Sequence, residues 1–110
     1  MNAAASPAGA MIWCPFPDEN SARAVAVKVL DERLVACANI LGSMMSLYVW
    51  QGSQSQAEET GVLFKTEAAL LDCAVQRIAE LHPYQAPAVM GWRCQSAAAA
   101  TLAWLADLQP

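Results

Sequence analysis

With 110 residues the chain has room for one domain. Hydrophobic residues make up 56% and charged residues 15%, which is more apolar surface than so small a domain buries alone. No apolar run approaches the ~20 residues of a membrane-spanning helix, and the six Lys and Arg are scattered singly in a chain of net charge −4. A membrane and nucleic acid are therefore excluded as partners, and the expected partner is a further copy of the same chain.

Residues 1–10 carry neither a basic start nor an apolar stretch long enough for a signal peptide, and read as a flexible tail before a single domain over 11–110. Met11 to Cys14 is a short apolar run closed by Pro15 and Pro17, hence a first strand. Asp18 is a good N-cap with Glu19 in the first turn. Ala22, Val25, Ala26, Val29 and Leu30 follow at helical spacing as the buried stripe of a first helix. From Val35 to Gln51 the chain is apolar on both faces, with a bulge expected at Gly42-Ser43. A strand of that length outgrows a monomeric domain and is expected to pack between subunits. Gly52 to Ala57 reads as a polar turn and Glu59 to Lys65 as the returning strand of a hairpin.

Thr66 is placed to cap a second helix, whose buried stripe is Leu70 or Leu71, Ala74, Val75, Ile78 and Leu81. His82-Pro83-Tyr84 with Pro87 makes a rigid exit from that helix. Val89 to Cys94 reads as a fourth strand, and Ser96 as the cap of a last helix carrying Leu102, Leu105 and Leu108. The order β-α-β-β-α-β plus a C-terminal helix predicts an α+β, ferredoxin-like fold with a long hairpin between its second and third strands. Cys14, Cys37, Cys73 and Cys94 include no C-x-x-C pair and read as reduced, with Cys37 and Cys73 packed as small hydrophobes. A cytoplasmic location is expected on that ground.

Several runs, in this order, resemble the CutA-type divalent-cation tolerance family: Pro17-Asp18-Glu19, Arg33 through Ile40, Ser46-x-Tyr48-x-Trp50-x-Gly52, Glu59 before Lys65-Thr66, His82-Pro83-Tyr84 with Pro87, and Leu102-x-Trp104-Leu105. The resemblance spans about Met11 to Leu108. It implies a homotrimer with the hairpin crossing between subunits, a role in tolerance of copper and other divalent cations, and an architecture similar to the trimeric PII signalling proteins. It implies no reaction. It also implies a metal site from a cysteine at position 14, a histidine near the His82-Pro83-Tyr84 run and an acid just after Pro87. Here that last residue is Ala88, so weak binding of copper or another divalent ion is expected. Pro15 stands where the family often has a hydroxyl residue, which removes a donor for an anion.

The candidate metal ligands are Cys14, a soft thiolate donor or else a packed core thiol, and His82. His82, the single histidine, reads either as a ligand or as a cap on the helix C-terminus. Alternation puts Ser46, Tyr48 and Trp50 on one strand face, and Glu59 and Lys65 six residues apart on another. Glu59, Lys65, Tyr48, Trp50, His82 and Tyr84 are therefore expected to line an inter-subunit pocket for a metal or a small anionic effector. The other reading is a structural ion pair with Trp50 as interface anchor, to which class Arg33 and Asn39 also belong. No nucleophile elbow, phosphate-binding loop or H-E-x-x-H pair is present, so the chain is not expected to be an enzyme. The expected action is binding in the service of metal tolerance. The alternative is a PII-like structural or signalling trimer that binds a small anion or a partner protein.

Overall fold

The computed structural model describes residues 7–109. Four strands and three helices follow in the order β1 (Gly9–Phe16), α1 (Glu19–Asp31), β2 (Cys37–Trp50), β3 (Ser53–Glu67), α2 (Leu71–Leu81), β4 (Met90–Arg93) and α3 (Ala99–Ala106). The strands form one antiparallel sheet in the order β2-β3-β1-β4. This is the split β-α-β arrangement, with α1 and α2 as the second layer. Most of the expected tail, residues 1–6, lies outside the described residues. Gly9 and Ala10, also assigned to the tail, are strand: Gly9 pairs with Glu67 and Ala10 with both Thr66 and Arg93.

Strand alternation builds the core. Ile12, Cys14 and Phe16 of β1 and Val62 and Phe64 of β3 are buried in the same hydrophobic cluster as Ala22, Val25, Ala26 and Val29 of α1 and Ala74 and Ile78 of α2. Leu30, expected in the α1 stripe, is exposed because it lies ~100° round the helix from Val29. Asp18 caps α1 as expected, its Oδ1 accepting the Ser21 N–H at 2.8 Å. Beyond α1, Glu32 takes a two-pronged contact from Arg77, both bonds 2.8 Å, which ties the two core helices together. Arg33, in a left-handed turn at φ 59°, donates to the Asp107 carbonyl at the end of α3.

β1 runs two residues past Cys14 and takes in Pro15. β4 pairs only Ala10–Trp13, so β1 has an open edge beyond Trp13, where a missing N–H removes no ladder bond. Thr66 caps nothing. It is a buried residue of β3 whose Oγ1 donates to the Leu34 carbonyl at 2.7 Å, and a 3-10 turn over Ala68–Leu70 leads into α2 instead. Ser96 does not cap α3 either, which starts three residues later behind Ala98. Cys73 is exposed on α2 and Cys37 only half-buried, while Cys14 is fully buried.

The hairpin departs most from expectation. The segment read as a polar turn, Gly52 to Ala57, is strand from Ser53 onward, and Trp50 pairs directly with Ser53. The turn is Gln51-Gly52 alone, with φ of 50° and 81°, the two-residue geometry in which glycine at the second position relieves strain. The irregularity expected at Gly42-Ser43 is present, as a register shift between Ile40 and Ser43. Beyond it the two strands continue as a ribbon that stretches the molecule to 48 Å.

Candidate functional site

α2 ends at Leu81 because Pro83 disfavours helical backbone at the residue before it, and His82 is extended at φ −68°, ψ 141°. That turn brings the imidazole under the open edge of β1. Its Nε2 lies 2.8 Å from the Pro15 carbonyl, and its Nδ1 accepts the Tyr84 N–H at 3.1 Å. A ring whose Nδ1 accepts a backbone N–H carries its proton on Nε2, so the Pro15 bond is donated by the histidine. The ring also stacks on Phe16, centroids 4.4 Å apart and planes 19° from parallel. His82 thus neither caps a helix carbonyl nor lies open; it braces the end of α2 against β1.

Tyr84 continues the line. Its ring tilts against His82 and its hydroxyl donates to Glu59 Oε2 at 2.8 Å. Burial, with the Glu59 hydrogen bond adding to it, pushes the Tyr84 phenol up to about 12. Burial holds the His82 pKa below its usual value, against the Pro15 carbonyl and Glu59, which favour the cation. Cys14, on the core face of β1, is pushed up to about 12 by burial and then by the Glu59 charge, and its thiol makes a 3.6 Å contact with the same Pro15 carbonyl.

Glu59 also borders a cleft of about 300 Å³ at the foot of the hairpin. Its walls are the junction of β1 and α1 from Pro17 to Glu19, the irregular stretch Ile40 to Ser43 of β2, and Glu58 to Thr60 of β3. Four carboxylate residues line it (Asp18, Glu19, Glu58 and Glu59) and no lysine or arginine does.

Of the six residues expected to share a pocket, the fold brings together His82, Tyr84 and Glu59. Lys65 lies six residues along β3 from Glu59, about 20 Å away at strand rise. It sits between Met11 and Cys37 in the ladder and makes no ion pair among the described residues. Tyr48 pairs with Ser55 and Trp50 with Ser53, both far up the hairpin, and Trp50 is 55% exposed. Within one chain there is thus neither a six-residue pocket nor a Glu59–Lys65 ion pair. Among the described residues no three of His, Cys, Asp and Glu gather as metal ligands. Sequence reasoning passed over two members of the cluster, Phe16 and the Pro15 carbonyl. A backbone acceptor leaves no side-chain signature, and Phe16 reads simply as core.

The fold and this site define an α+β protein of split β-α-β topology, with an overlong hairpin and an acidic cleft at its foot. The chain belongs to the CutA1 divalent ion tolerance family, which it matches over residues 10–108. It is 39% identical over 88 residues to the divalent-cation tolerance protein CutA of Salmonella newport, across 76% of this chain and 73% of that one. Among solved structures it resembles CutA from Xylella fastidiosa, with TM-score 0.85 and 30% identity over 91% of this chain and 96% of that one. CutA1 from Ehrlichia chaffeensis gives TM-score 0.86 and 26% identity over 94% and 97%.

Proposed function

We propose that the protein serves divalent-cation tolerance as a cytoplasmic homotrimer that binds a cation in the cleft beside Glu59, without turning over a substrate. The observation that carries this reading is the cleft lining: four carboxylate residues, no basic side chain, and one carboxylate, Glu59, held in place by Tyr84. Such a lining repels the small anionic effector that was the other expectation. Carboxylate oxygens suit hard divalent ions better than copper(I). With no three ligands gathered among the described residues of one chain, the ion keeps part of its water shell or takes a ligand from a neighbouring subunit.

The trimer rests on the hairpin, where Leu47 and Val49 are 68% and 70% exposed beside Tyr48 and Trp50. Light scattering is expected to give three chains per particle. Calorimetric titration of the reduced protein with Mn(II), Zn(II) and Cu(II) is expected to show binding that Glu59→Gln weakens at least tenfold. Equal isotherms for the two proteins would remove the cleft from the account and leave the metal role indirect.

A further inference from the structure

The family resemblance makes Cys14 and His82 a metal pair, and the chemistry of those two side chains here does not fit one. A metal takes a lone pair from imidazole and a thiolate from cysteine, so both groups must be free and deprotonated where they bind. The His82 Nδ1 lone pair is occupied by the Tyr84 N–H and the Nε2 proton by the Pro15 carbonyl. Ligation through either nitrogen strands a backbone group beside a ring that is itself 93% buried, since only 7% of His82 is exposed. Cys14 is fully buried in the core cluster, with its Sγ 3.6 Å from the Pro15 carbonyl. The third member of the set is Ala88, which has no donor.

We infer that Cys14 and His82 form no metal centre in this protein, and that His82 is instead a positioning residue, a strut between the Pro15 carbonyl and the Tyr84 amide that sets the Tyr84 hydroxyl against Glu59 at the cleft wall. The first part stands whether or not the cleft binds a cation. The second rests on the cleft reading for its purpose but not for its geometry. Phe16 supplies the stacking surface, and the proline at position 15 suits the arrangement because the strut uses its carbonyl and needs no N–H there. The strut also accounts for a histidine between a helix end and a proline in a chain that has only one.

That single histidine makes the test direct, because every imidazole 15N signal belongs to His82. In the wild-type protein at neutral pH, the spectrum is expected to show the Nε2–H tautomer. Its unprotonated Nδ1 signal should keep its position when one equivalent of Zn(II) per chain is added. The Tyr84 amide is expected to be protected from hydrogen exchange, and to lose that protection in His82→Phe while the amides of α2 keep theirs. Zn(II) isotherms of wild type and Cys14→Ala are expected to coincide. A coordination shift of either ring nitrogen on adding Zn(II), or a tenfold loss of affinity in Cys14→Ala, would overturn the first part. An unprotected Tyr84 amide in the wild type would overturn the second. Loss of cation binding in Glu59→Gln reports on the cleft alone and leaves both readouts unchanged.

Discussion

The foot of the hairpin and its tip are built from the same two strands to opposite ends. At the foot, β2 and β3 lie over the helical layer, Phe16 and Phe64 have no exposed surface, and the polar atoms of His82, Tyr84 and Glu59 take partners within the chain. Toward the tip, about 24 Å further along at strand rise, the ribbon has no second layer, and Leu47, Tyr48, Val49 and Trp50 stand in the open. The ladder continues unbroken from Ser43 to Trp50, so backbone pairing holds the ribbon together but cannot bury it. The excess apolar composition of the chain is therefore not spread evenly. The part a small domain can bury sits at the foot, and the remainder is concentrated on the hairpin and on Met90 and Trp92 of β4. The proposed self-association draws on the second region, and the proposed cation binding on the first.

The sharpest way to break this comparison is to charge the tip. Leu47→Lys with Val49→Lys places two cations on surface that is 68% and 70% exposed in one chain and that the proposed trimer would cover. The particle mass by light scattering is expected to fall from three chains to one, while far-ultraviolet circular dichroism keeps its helical signal. A trimer surviving both substitutions would place the interface elsewhere.

At the foot the expected losses are of stability. Phe16→Ala empties a fully buried site and removes the stacking surface of His82, and is expected to cost about 3–5 kcal/mol in urea unfolding at fixed protein concentration. Gly61→Ala comes next. A Cβ at Gly61 would lie 2.3 Å from a ring carbon of Trp13, so the expected cost is about 1–3 kcal/mol. Trp13→Phe in the same chain should recover part of it, because the offending atom belongs to the outer indole ring. Thr66→Val leaves the part-buried Leu34 carbonyl without its 2.7 Å partner, at an expected cost of about 1–2 kcal/mol.

Thr66 also shows where the sequence could be read and where it could not. A threonine before a helical pattern is a fair cap, but the ladder to Gly9 and Ala10 carries β3 through to Glu67 and displaces the helix start. Ser53 to Ala57 read as a turn because they are polar, yet strand pairing needs only backbone, and a strand exposed on the hairpin need not be apolar. The order of elements was legible because the apolar periods are long and change sharply between 2 and 3.6. At the site, the helix exit at His82 and the nearness of Tyr84 were legible from the prolines. Within one chain Lys65 lies far from Glu59 because alternation fixes a face and not a distance. The Pro15 carbonyl was invisible, since no side chain announces it.

The smallest expected effect is a dependence of stability on pH, and it belongs to the foot alone. Burial holds the folded-state pKa of His82 below the usual 6.5. As the pH falls, the unfolded chain therefore takes up the proton first, and the folded state loses ground. The stability tied to neutral His82 is complete above pH ~6.5 and is lost as the pH drops through the lower folded-state value. A proton on Nδ1 would also face the Tyr84 N–H that this nitrogen now accepts. Urea midpoints are therefore expected to decline from about pH 7 to about pH 5.5, above the range where ordinary carboxylates titrate. The decline should flatten in His82→Phe, which keeps the ring against Phe16 but has no proton to gain. Parallel declines in the two proteins would assign the slope to another group and detach the strut from the acid response of the fold.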